Sequence, residues 1–193
     1  MEKVVVSRER TCCFTGHRDR DLPFFGDRST LGMRNLESSL ALEIENAVSD
    51  GYDTFISGMA EGIDLICAEL VYARIARGEK LRLICARPFP RQCERDYKDA
   101  RNKYVNSLIT SACGTVDVSQ SYYRGCYAAR NRFMVAHSSR LIGVIKRKVG
   151  PSGTLQTVRL AEKQGLDIRL IELDNSQIFY LSHRSLLGGA GNK

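Results

Sequence analysis

Apolar residues gather along this chain in short dense runs and, between them, in longer stretches where they recur every three or four positions. The short runs, at 11–15, 54–57, 81–86, 115–118, 141–145 and 168–173, are rich in β-branched or aromatic residues and show little alternation. A strand apolar on both faces is buried between two layers, so each run predicts an interior strand. The longer stretches carry helical spacing: Leu36, Leu40, Ile44 and Ala47; Ile63, Ile66, Cys67, Leu70 and Val71; and Leu155, Val158 and Ala161. Gly51, Gly78 and Gly165 follow helical stretches, in SDGYD, ARGEK and KQGLD, where a left-handed residue ends a helix.

Strand and helix alternate throughout, which predicts an α/β fold: a Rossmann-like three-layer domain with a mainly parallel sheet and helices on both faces. With 193 residues the chain is expected to form one domain over 1–181, followed by a flexible tail at 182–193. Residues 19–32 read as a loop long enough to reach over a ligand site. There is no internal repeat.

Composition narrows the function classes. Hydrophobic residues make up 43% and charged residues 26%, ordinary for a globular protein and unlike a disordered one. No apolar run reaches the roughly 18 to 20 residues that span a bilayer, and the opening MEKVVVSRERTCC lacks the regions of a secretory signal. A cytoplasmic protein with no membrane partner is expected. The seven cysteines form no CxxC pair and the three histidines no metal-ligand spacing, so neither a metal nor a resident cofactor is expected. The net charge of +7 favours anionic partners, with nucleotides and nucleic acid both compatible because the excess is spread along the chain.

Three glycine-containing turns follow predicted strands: TGHR (15–18), SGMAEGID (57–64) and GPSGT (150–154). Loops at the carboxyl ends of parallel strands line one edge of the sheet, and ligands settle there at a topological switch point. Glycine allows close backbone approach, and the N–H groups of a following helix offer donors and partial positive charge to a phosphate. Candidate ligand-binding residues are therefore Gly16, His17 and Arg18 in the first turn, Ser57, Gly58, Met59, Gly62 and Asp64 in the second, and Ser152, Gly153 and Thr154 in the third. Asp64 suits a ribose hydroxyl or the helix dipole, and Ser152 and Thr154 suit a phosphate or a helix cap. His17, Asp64 and Glu69 are weak catalytic candidates, since no acid or nucleophile is paired with His17 by spacing. The segment YYRGCYAARNRFM interleaves Tyr122, Tyr123 and Tyr127 with Arg124, Arg130 and Arg132, which suits base stacking and equally an aromatic core with solvated arginines.

The blocks FTGHR, SGMAEGIDLICAE, PFPRQ, GCYAARNRFMV and PSGT, in that order, resemble the YpsA family of the SLOG superfamily, a Rossmann-like group that includes DprA and the LOG enzymes. The resemblance covers roughly residues 11–173. It implies a nucleotide, nucleotide-derived signal or nucleic acid bound across the glycine turns, and adds Arg130 and Asn131 to the site positions, while Phe89 and Gln92 fall in its third block. It also implies a link to bacterial cell division or stress. LOG enzymes carry a PGGxGTxxE loop, whereas PSGTLQT has Thr157 where that glutamate stands.

The leading reading is a module that binds or senses a nucleotide-derived, phosphate-bearing ligand at the carboxyl edge. The alternatives are a LOG-like hydrolase of nucleotide N-glycosidic or phosphate bonds, and DprA-like binding of single-stranded nucleic acid. A binding role stands ahead of an enzymatic one, and a homo-oligomer is compatible with either.

Overall fold

The computed structural model describes residues 6–146 and 152–173, and the backbone of 181–186. Gly150 and Pro151 of the third turn, and the chain after 186, lie outside the described residues.

Six parallel strands form the sheet: β1 (Thr11–Thr15), β2 (Thr54–Ser57), β3 (Arg82–Arg87), β4 (Gly114–Asp117), β5 (Arg140–Lys146) and β6 (Asp167–Leu173). A seventh, β7 (Leu181–Leu186), pairs antiparallel with β6 at the edge. The spatial order β4-β3-β2-β1-β5-β6-β7 reverses direction between β1 and β5. That reversal is the switch point, and the carboxyl ends of β1 and β5 border a crevice there. The expected tail from 182 thus begins inside β7, because backbone pairing with β6 takes up 181–186.

Helices α1 (Leu31–Ser49), α2 (Ile63–Ala76) and α4 (Asp99–Ser111) pack on one face. Helices α5 (Cys126–Ala136) and α6 (Gly153–Lys163) cover the other, and the short α3 (Gln92–Asp96) follows β3. Strand alternation assigns the core: Cys12, Phe14, Phe55, Leu83 and Cys85 face α1, α2 and α4, whereas Cys13, Ile56, Ile84 and Leu141 face α5 and α6. Phe14 and Phe55 stack across neighbouring strands at 5.9 Å. The Thr30 hydroxyl caps α1 by accepting from the Met33 N–H at 3.4 Å, and Gly51, Gly78 and Gly165 all take positive φ after their helices.

The segment before α1 folds into two short 3-10 turns, Asp19–Asp21 and Pro23–Gly26. An ion pair from Asp19 to Arg101 on α4 at 2.8 Å and one from Arg28 to Glu69 on α2 tie it down. Its beginning therefore stays against the crevice, while the exposed Phe25 points to solvent.

Candidate ligand-binding site

A cavity of about 590 Å³ opens at the switch point, within the usual range of small-molecule sites. The turn after β1 contributes Gly16, His17, Arg18, Arg20 and Asp21; the start of α2 contributes Glu61 and Asp64; α5 contributes Tyr127, Arg130 and Asn131; Lys146 ends β5; and Ser152, Gly153 and Thr154 open α6. Nine of the residues singled out from sequence as ligand contacts meet here, although they come from four separate stretches of chain.

The second glycine turn is organised inward. A side chain on Gly58 would place its Cβ 1.0 Å from Arg130 Nη1 and 2.5 Å from Asp64 Oδ2. Glycine is there to make room for an ion pair, in which Arg130 Nη1 donates to Asp64 Oδ2 at 2.7 Å. Both partners are nearly sealed from water, at 4% and 8% exposure, so each neutralises a charge that would otherwise be costly to bury. Arg130 Nε has no hydrogen-bond partner among the described residues.

The rest of this turn is equally engaged. The Ser57 hydroxyl donates to the Asp64 carbonyl at 2.7 Å and accepts from the Met59 N–H at 3.1 Å. The Met59 carbonyl accepts from the Tyr97 hydroxyl and from Gln92 Nε2, which also reaches the Gly58 carbonyl at 3.2 Å. Met59 itself sits at φ 53, and Gly62 at φ +88, where a Cβ would fall 2.2 Å from the His17 carbonyl. Ser57, Gly58, Met59 and Gly62 accordingly shape the floor from behind and do not line the cavity.

Gly16 serves packing as well, since its Cβ would lie 2.4 Å from Ile63, where α2 presses on the β1 turn. The backbone N–H of Lys146 donates to His17 Nε2 at 3.1 Å. By accepting that bond, His17 clamps the end of β5 to the β1 turn.

The opening of α6 differs. Thr154 ties it to β1 by donating to the Gly16 carbonyl at 2.9 Å, and Asn131 Nδ2 donates to Thr157 at 2.9 Å. Ser152 occupies the N-cap position without a side-chain cap bond. A Cβ on Gly153 would meet nothing within 4 Å among the described residues, and its φ is not in the left-handed region. Among the described residues, neither packing nor backbone geometry requires glycine there. The first-turn N–H groups of α6 and their dipole face a cavity also lined by Arg18, Arg20 and Lys146, a setting that suits an anion.

Tyr127 forms one wall. Its hydroxyl donates to Asp96 at 2.7 Å, its ring carries the Arg18 guanidinium at 5.8 Å, and burial followed by the Asp96 bond pushes its phenol well above the usual range. Glu69, one of the weak catalytic candidates, stands apart in a different cavity with Arg28, Arg101 and Tyr104. Thr157 is buried, and among the described residues the carboxylates that line the cavity are Asp21, Glu61 and the ion-paired Asp64. Arg20, Asp21 and Lys146 were not found from sequence; Lys146 ends β5 at the carboxyl edge, a position that could have marked it. Among the described residues no three His, Cys, Asp or Glu side chains group as a metal site, and no helix is long and apolar enough to cross a membrane.

Comparison with known proteins gives the same fold. The YspA SLOG family matches residues 12–176. DNA processing protein A from Helicobacter pylori superposes with a TM-score of 0.55 at 18% identity, covering 84% of this chain and 65% of that one. The same protein from Streptococcus pneumoniae gives 0.53 at 18% identity, covering 83% and 50%. This chain therefore spans less than two thirds of either. No curated protein matches it.

Proposed function

The chain belongs to the YspA SLOG family, and from that premise we propose that its carboxyl-edge cavity binds a nucleotide-derived ligand through a phosphate held at the opening of α6. The observation that carries this reading is Gly153: a glycine that no packing contact among the described residues requires, at the start of a helix without a side-chain cap, facing a cavity of about 590 Å³ that Arg18, Arg20 and Lys146 also line. Close approach of an anion explains it. The Asp64–Arg130 pair forms a rigid floor, and Tyr127 with Arg18 offers a flat wall to a base or ribose. A link to cell division or stress belongs to this proposal through kinship alone.

A thermal-shift screen of the full chain against inorganic phosphate, mononucleotides, dinucleotides and ADP-ribose tests it. A ligand at 100 times its dissociation constant stabilises the fold by about 2.7 kcal/mol. The expected result is stabilisation by a phosphate-bearing nucleotide that shrinks to about half or less in Gly153→Ala; no shift with any compound overturns the reading.

A second reading has one observation behind it. The Helicobacter pylori DprA that shares this fold is described as having a unique single-stranded DNA binding mode, and this chain carries +7. Binding of labelled oligonucleotide that weakens steeply as salt rises would support it, whereas salt-insensitive or absent binding would remove it.

A further inference from the structure

Beside the cavity at the switch point lies a second one of about 410 Å³, at the carboxyl ends of β3 and β4, walled by Phe89, Pro90, Arg95, Gln120 and Tyr122. We infer that this cavity is a stacking subsite for a nucleobase, belonging to the same ligand whose phosphate is held at the α6 turn. The inference rests on the reading above and deepens it: the ligand spans at least two nucleotide units, as a dinucleotide or a short single strand.

Three observations carry it. Tyr122 is 49% exposed, yet its ring is fixed, because the buried Phe89 meets it edge to face at 5.7 Å. The Arg95 guanidinium lies over that ring at 3.7 Å from its centroid. Arg91 nearby is paired with Glu94, whereas Arg95 makes no ion pair among the described residues, so the shelf presents a flat cationic surface. A flat ring attached to an anionic backbone is the chemistry that such an aromatic and arginine surface accepts.

The third observation is continuity. Tyr127 walls the first cavity and Phe89 the second, and their rings meet edge to face at 6.3 Å. Between the β1–β5 switch point and the β3–β4 ends lie two to three strand spacings, roughly 10 to 15 Å at about 4.8 Å each. A ligand anchored at α6 reaches the shelf by passing over the Tyr127–Phe89 pair, and one nucleotide is too short for that path.

Two substitutions at the half-exposed Tyr122 test the subsite in the full chain. Tyr122→Ala is expected to weaken NAD or a short oligothymidylate by about tenfold or more, the loss of one stacked base, while AMP and inorganic phosphate bind as before. Tyr122→Trp introduces the sole tryptophan of the chain, and its fluorescence is expected to be quenched by the long probe and not by AMP. A loss confined to NAD assigns a free dinucleotide, and one confined to oligothymidylate assigns a strand. If Tyr122→Ala leaves both long probes unchanged, or weakens AMP equally, the subsite is overturned. Gly153→Ala separates that failure from failure of the parent reading: it weakens every probe if the phosphate sits at α6, and weakens none if it does not.

Discussion

The turns at 57–64 and 152–154 look alike in sequence, each with glycine, a hydroxyl residue and a following helix, yet the structure uses them in opposite ways. The first is sealed: Gly58 yields its side-chain space to Arg130, and the Ser57 hydroxyl and the Gly58 and Met59 carbonyls are all bonded within the protein. The second opens onto the cavity, and a Cβ on Gly153 would meet nothing within 4 Å among the described residues. A glycine can mark close approach by the protein's own atoms or by a ligand's, and only the identity of the neighbour tells them apart.

That contrast can be broken by substitution, and its effects on stability are ordered. Gly58→Ala should be the most damaging, since it drives a methyl group into a buried ion pair and leaves two charges unmatched; about 3 to 5 kcal/mol is expected by urea denaturation. A loss under about 1 kcal/mol would mean that the pair can move aside, and the sealed turn would lose its explanation. Arg130→Leu alone should cost a similar or somewhat smaller amount by stranding Asp64, while Asp64→Leu with Arg130→Leu should recover most of it. A double variant as unstable as the single one would show that Arg130 acts through something other than Asp64.

Alkaline pH presses on the sealed side as well. Cys13, beneath this turn, has its thiol pushed up to about 12, first by burial, with Asp64 adding to the rise, and burial likewise raises Cys85 to about 12. A folded-state value above the unfolded one means that the native chain holds the proton more tightly. Stability is then full below the ordinary thiol value of 9.0 and falls as pH rises from there towards 12. A melting temperature level up to pH 9 and declining beyond it is expected; one still level at pH 11 would contradict the burial of these thiols. Gly153→Ala should move stability least, within about 1 kcal/mol and in the favourable direction, because alanine restricts the unfolded chain at a permitted backbone geometry. The same change should lower affinity for a phosphate probe about tenfold or more, about the free energy of one good hydrogen bond to a charged group.

Much of the fold was legible because its signals are local. Runs such as TCCFT and TFIS are buried on both faces, and the glycines after α1, α2 and α6 took the left-handed geometry their positions suggested. Helices α4 and α5 were not read. In α4 only Val105, Leu108 and Ile109 face the core, too sparse a stripe to detect, and in α5 the inward row of Cys126, Arg130 and Met134 is interrupted by an arginine. That arginine breaks the apolar pattern because its partner, Asp64, lies 66 residues earlier in the chain.

By itself the sequence determined the alternation of strand and helix and the carboxyl-edge placement of the glycine turns, which follow from spacing along the chain, and its motif blocks carried the resemblance to the SLOG family to which it belongs. The tertiary structure alone decided which turn opens onto the cavity and which packs against the protein's own side chains. It also paired Asp64 with Arg130, set His17 against the end of β5, and moved Glu69 out of the site. Those outcomes depend on atoms that meet across distant segments, and contacts of that kind leave no periodic trace in a single chain.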